Sequence, residues 1–144
     1  MKNLVFAFSI VLVVALLTGC KCTSKAVASK DSITSTGWEL SLINGKKAAA
    51  TDYPNKFPDV IFASDNKVSG HGGCNRYGGS YTLDAEGKFS TSQLISTKMF
   101  CQGVKEDEYL KALGRANKAK IEGKNLVLYY ENEAVLIFIP KKLE

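Results

Sequence analysis

From Thr36 onward, apolar and polar residues alternate with a period of two in short runs, and turn signals separate the runs. This pattern constrains the chain more than any other, because neighbouring side chains of an extended strand point to opposite faces. Trp38, Leu40 and Leu42 alternate with Glu39 and Ser41, and Asn44-Gly45 follows as a turn signal. Val60-Ile61-Phe62 is a short apolar run behind Pro58. Tyr77, Gly79, Tyr81 and Leu83 fall on one face, with Ser80, Thr82 and Asp84 on the other. Glu86-Gly87 turns the chain into Phe89, Thr91 and Gln93. Leu126, Leu128 and Tyr130 alternate with Val127 and Tyr129. Glu131-Asn132-Glu133 reads as a turn, and Ala134 to Ile139 as a continuous apolar strand that Pro140 ends.

One segment departs from this period. Between Val104 and Asn117, Tyr109, Leu110, Leu113 and Ala116 fall at helical spacing. Glu106, Asp107 and Glu108 lead, and Arg115, Lys118 and Lys120 close, the order that suits the helix dipole. The expected fold class is therefore α+β: a small open, cracked antiparallel β-barrel of seven or eight strands, with one covering α-helix before the last three.

The N-terminus is of another kind. Lys2 precedes an apolar run from Leu4 to Leu17 broken only by Ser9. Fourteen helical residues span about 21 Å, short of a bilayer core of about 30 Å. Residues 1–19 therefore read as a signal peptide. Leu17-Thr18-Gly19-Cys20 resembles a bacterial lipobox, which implies cleavage before Cys20 and lipid, palmitate included, on that residue. Lys21 stands where enterobacterial sorting uses Asp for retention, so the implied localisation is the outer membrane. Residues 20–35 hold only Val27 and Ile33 as large aliphatics and read as a flexible tether. The folded domain is then expected over 36–144.

That domain carries 15 basic and 13 acidic residues, so much of the chain's +5 net charge lies outside it. With no block of five or six like charges, nucleic acid is not an expected partner. The glycines between Gly70 and Gly79 read as bends and close approaches; no Gly-Lys-Ser/Thr follows them to form a phosphate cradle. His71 is the sole histidine, and with Cys74 and Cys101 it has no standard zinc spacing, so neither metal nor cofactor is expected. Asp84 and Glu86 sit beside Gly87 as a solvated turn, and no nucleophile elbow is present, so no enzyme is expected. Trp38, Tyr53, Phe57, Tyr77 and Tyr109 either fill the core or line a cavity inside the barrel.

The segment Gly72-Gly73-Cys74-Asn75, the later Tyr81, and Thr97-Lys98-Met99-Phe100-Cys101 are the most distinctive elements. With Trp38-Glu39-Leu40 at the start and Leu126-Val127-Leu128 near the end, they resemble the META domain, the HslJ-like family, over about 105 residues. Phe100 departs from that pattern, in which a small residue is common. The resemblance implies a curled antiparallel sheet in an envelope lipoprotein, linked in some members to heat shock and antibiotic tolerance. It implies structural motif roles for Trp38, Gly73, Asn75, Tyr81, Thr97 and Met99. Cys74 and Cys101 both lie in its motifs, and export favours their pairing as a disulfide over two buried thiols. Cys22, on the tether, is left over. The expected function is a non-catalytic interaction module, stress-related or surface-maintaining, with an envelope protein as partner. The alternative is a carrier of a lipid or other apolar ligand inside the barrel. A Cys-dependent redox or metal role ranks last.

Overall fold

The computed structural model describes residues 25–141. The signal peptide, the lipobox, Cys20 and Cys22 lie outside the described residues. In chain order the elements are β1 (Lys25–Val27), α1 (Lys30–Thr34), β2 (Gly37–Ile43), β3 (Lys46–Lys47), β4 (Asp59–Phe62), β5 (Lys67–His71), β6 (Arg76–Leu83), β7 (Phe89–Thr91), β8 (Ile95–Ser96), α2 (Glu106–Arg115), β9 (Lys118–Glu122), β10 (Asn125–Tyr130) and β11 (Glu133–Lys141).

The strands form one curled sheet in the order β1-β9-β10-β11-β2-β4-β5-β6-β7, with β3 added to β2 and β8 to β6. All pairings are antiparallel. The sheet is not closed, although Phe89 N–H donates to Asn117 O and Ala119 N–H to Gly87 O across the gap. The open, β-rich α+β class is as expected, but there are eleven strands among the described residues, not seven or eight. The surplus includes β1, β3 and β8, runs of two or three residues too short to show a period. Asn44 and Gly45 both take positive φ and join β2 to β3 as a two-residue hairpin.

Further expectations are corrected. The tether expected over 20–35 is ordered structure from Lys25 onward. β1 pairs with β9, Ser29 and Ser32 form a capping box on α1, and Ala28 and Ile33 are buried. This adds a second, five-residue helix to the one expected. Its segment has too little apolar surface to fold alone, and the rest of the domain supplies the partner surface. The long helix spans 106–115, with Glu106, Asp107 and Glu108 in its first turn and Arg115 in its last, as expected; the Lys105 and Ala116 backbones leave helical geometry. Pro140 does not end β11, which continues to Lys141 beside β2. Beyond Phe138, β10 has ended, so β11 has a neighbour on one side only, where a missing N–H is tolerated.

Antiparallel pairing makes the turns alternate between the two ends of the sheet. Turns at 63–66 and 123–124 lie at the end where β1 begins. Turns at 44–45, 72–75 and 131–132, the 97–105 loop and α2 lie at the other. Rings fill the interior. Phe62, Tyr81 and Phe89 form one group, and Tyr109 packs edge-on against both Tyr77 and Phe138. Trp38, Tyr53, Tyr77 and Tyr109 are core, with Phe57 packed against it.

Gly114 in α2 has open space where a Cβ would go. Gly114→Ala should therefore raise the unfolding free energy by about 0.5–1 kcal/mol in urea titrations. A loss of stability would show that the helix needs glycine there.

Candidate functional site

At the α2 end, one buried amide organises the loops. Asn75 is 4% exposed and lies in the turn between β5 and β6. Its N–H donates to Glu106 Oε1 at 2.8 Å, and its Nδ2 donates to Glu106 Oε2 at 2.7 Å and to Met99 O at 3.1 Å. Its Oδ1 accepts from Thr97 Oγ1 at 2.9 Å and from Met99 N–H at 2.8 Å. One side chain thus ties the β5–β6 turn to the 97–101 loop and to the first residue of α2. Gly73 beside it takes φ +107°, with Tyr53 packed where a Cβ would point.

Cys74 and Cys101 are joined by a disulfide, their Cα atoms 5.9 Å apart. A closed loop of 27 residues stabilises the fold by about 3.5 kcal/mol in a chain-entropy treatment. Thr97 N–H also donates to Arg76 O, and β8 pairs with β6. The loop is therefore held at several points, yet its large apolar side chains face outward. Ile95 is 76% exposed, Met99 62% and Phe100 91%.

A second feature lies on the outer wall. Val60 and Phe62 point into the core, so Asp59 and Ile61 face the other side of β4. There a recess of about 590 Å³ is lined by Lys56, Asp59, His71, Arg76 and Lys141 around a floor that includes Ser69 and Gly70. Asp59, 8% exposed, accepts from His71 N–H on Oδ1 at 2.9 Å. Its Oδ2 meets Lys141 Nζ at 2.9 Å and Lys56 Nζ at 3.1 Å. Burial pushes the Asp59 pKa up, but hydrogen bonds and charge from the two lysines outweigh it and hold it below the usual carboxylate value. Burial, together with the Lys56 charge, lowers that of His71. Gly70 is glycine because a Cβ there would stand 2.1 Å from Asp59 O. The same carbonyl accepts from Tyr77 OH at 2.9 Å and from Tyr109 OH at 3.3 Å, which links the wall to the core.

The sequence model of the META domain family matches residues 31–143. The chain belongs to the META domain family. Its fold is similar to that of a protein from Burkholderia xenovorans, at 26% identity and a TM-score of 0.62, over 86% of this chain and 99% of that one. A DUF4847 family protein from Bacteroides vulgatus is similar at 16% identity and a TM-score of 0.56, over 80% of this chain and 99% of that one. A third solved structure is similar at 20% identity and a TM-score of 0.62, over 78% and 94%. No curated protein matches the chain.

The META motif residues fall into two places. Gly73, Cys74, Asn75, Thr97, Met99 and Cys101 meet at the α2 end, with Met99 contributing its backbone to Asn75 and its side chain to the surface. Trp38 and Tyr81 stay in the core: Trp38 Nε1 donates to Ile33 O at 2.9 Å and pins α1, and Tyr81 OH donates to Ala63 O at 2.9 Å. Cys20 lies outside the described residues. Sequence reasoning read Glu106 only as a helix-dipole residue and passed over Lys56, Asp59, Arg76 and Lys141. Asp59, a carboxylate adjoining the apolar run Val60-Ile61-Phe62, was the available signal.

Asn75→Ala should cost about 2–4 kcal/mol, because Met99 N–H and O lose their shared partner. It should also make the 97–101 loop protease-sensitive with the disulfide intact. Urea midpoints and limited proteolysis check both; an unchanged digest would count against the hub. Stability should also fall on acidification. His71 contributes stability above about pH 6.5 that is lost as pH drops through its lowered pKa, and Asp59 does the same from about pH 4 downward. Urea midpoints at pH 7, 5 and 3.5 should decline in that order, and Asp59→Asn should flatten the last step.

Proposed function

We propose that this META protein is a non-catalytic interaction module, anchored at the outer membrane by lipid on Cys20, that offers its Ile95–Phe100 loop to a protein partner in the envelope. The observation that carries this reading is Phe100, 91% exposed beside Met99 on a loop fastened by a disulfide, by Asn75 and by β8 pairing. Large exposed apolar side chains are a common mark of a contact surface. Fastening the loop beforehand lowers the ordering entropy that binding costs.

The position of the loop supports the same reading. Cys20 to Lys25 is five residues, which reach at most about 18 Å. A lipid on Cys20 would keep the end where β1 begins near the bilayer, and the loop lies at the opposite end. The side chains that fill the barrel occupy the space an apolar cargo would need, so the contact reading is preferred to the carrier. A role in envelope stress or surface maintenance would follow from the partner bound.

In-envelope photo-cross-linking from position 98 should give a discrete adduct that Phe100→Ser abolishes, while a cross-linker at position 124, at the other end, should not. An adduct insensitive to Phe100→Ser would sink the contact reading. Cys20→Ala should move the protein out of the membrane fraction, and its retention there would overturn the anchor.

A further inference from the structure

The recess on the outer wall is separate from the loop, and its hydrogen-bonding inventory is lopsided. Among the described residues Asp59 is the carboxylate in its lining, and both of its oxygens are taken: Oδ1 by His71 N–H, Oδ2 by Lys56 and Lys141. An ammonium group has three N–H donors, so Lys56 keeps donors after serving Asp59. His71 Nδ1 accepts from Gly73 N–H at 3.1 Å, so in the neutral ring the other nitrogen bears the hydrogen and is a donor. Among the described residues the exposed Arg76 guanidinium makes no hydrogen bond or ion pair. Ser69 adds a hydroxyl.

Two lysines thus flank one carboxylate, which already serves to position them, and Arg76 lines the same recess. A metal cation would find its oxygen ligand occupied and the surrounding charge repulsive. An anion with several acceptor oxygens would find unspent donors from two sides, Arg76 on β6 and Lys56 beside Asp59. The space, about 590 Å³, exceeds a bare oxyanion and admits a larger molecule that carries one. Ile61, facing the same recess, gives such a body an apolar contact.

We propose that this recess is a phosphate-group binding site, with Arg76 and Lys56 as the charged donors, Lys141 adding positive charge beside them, and Asp59 as the residue that positions the lysines. The phosphate is either free in solution, as on a small metabolite, or a lipid headgroup; the donors required are the same. The site does not depend on the role of the Phe100 loop.

The test is calorimetric titration of the full chain in neutral detergent at low salt. The probes are inorganic phosphate, dihexanoyl phosphatidic acid and dihexanoylglycerol, the last having the same chains without phosphate. Saturable binding is expected for at least one phosphate probe and not for dihexanoylglycerol. Arg76→Gln and Lys56→Gln should each weaken it about tenfold, with circular dichroism unchanged. Lys124→Gln, remote from the recess, should leave it intact. Similar affinity for the two phosphate probes assigns a free phosphate compound, and a preference of about tenfold or more for phosphatidic acid assigns a headgroup. Absence of saturable binding up to roughly 10 mM phosphate and phosphatidic acid overturns the proposal. So does binding that Arg76→Gln and Lys56→Gln leave unchanged, or equal binding of dihexanoylglycerol.

Discussion

Five hydrogen bonds converge on the backbone N–H and side-chain amide of Asn75, and the α2 end of the molecule is arranged around them. An amide has both donors and acceptors on one rigid plane, so it can serve a carboxylate and a strand-like backbone at once. Here it joins three segments that are far apart in sequence: a tight turn, a loop some 24 residues on, and the start of a helix 31 residues on. The disulfide from the adjacent Cys74 to Cys101 repeats the same connection covalently. Burial makes the arrangement stiff, because loss of any partner would leave a polar group unpaired away from water.

That stiffness explains an otherwise unfavourable surface. A loop carrying Ile95, Met99 and Phe100 would, if free, fold its apolar groups back onto the domain. Backbone bonds to Asn75, strand pairing with β6 and the disulfide hold it in place, and its side chains are left in solvent. The outer wall has a comparable logic. Asp59 is fixed on one side by the backbone of His71 and on the other by Lys56 and Lys141, while its carbonyl receives Tyr77 and Tyr109 from the core. The absence of a side chain at Gly70 lets those groups come together.

Much of this was legible. The period-two runs became β2, β6 and β10, and the 3.6-period segment became α2, because a strand or helix with one buried face carries that face in its own sequence. Asn44-Gly45 turned where its dipeptide predicts. What was not legible had no local signal. β1 and α1 hold their shape through β9 and the core rather than through propensity, so a segment poor in apolar residues was read as a spacer. β3 and β8 are too short to have a period. Pro140 reads as a strand terminator unless one knows that β10 has already ended beside it.

By itself, then, the sequence determined the class of fold, the family and the motif residues that meet at the α2 end, Glu106 excepted. Turn chemistry, hydrophobic period and motif order are local properties, written in residues close together along the chain. Only the tertiary structure decided that Asn75 meets Glu106, that Phe100 points to solvent, and that Lys56 and Lys141 flank Asp59 in a recess that Arg76 also lines. These depend on which strands become neighbours and on the register of their pairing, and a register shift of one residue would turn each side chain to the opposite face.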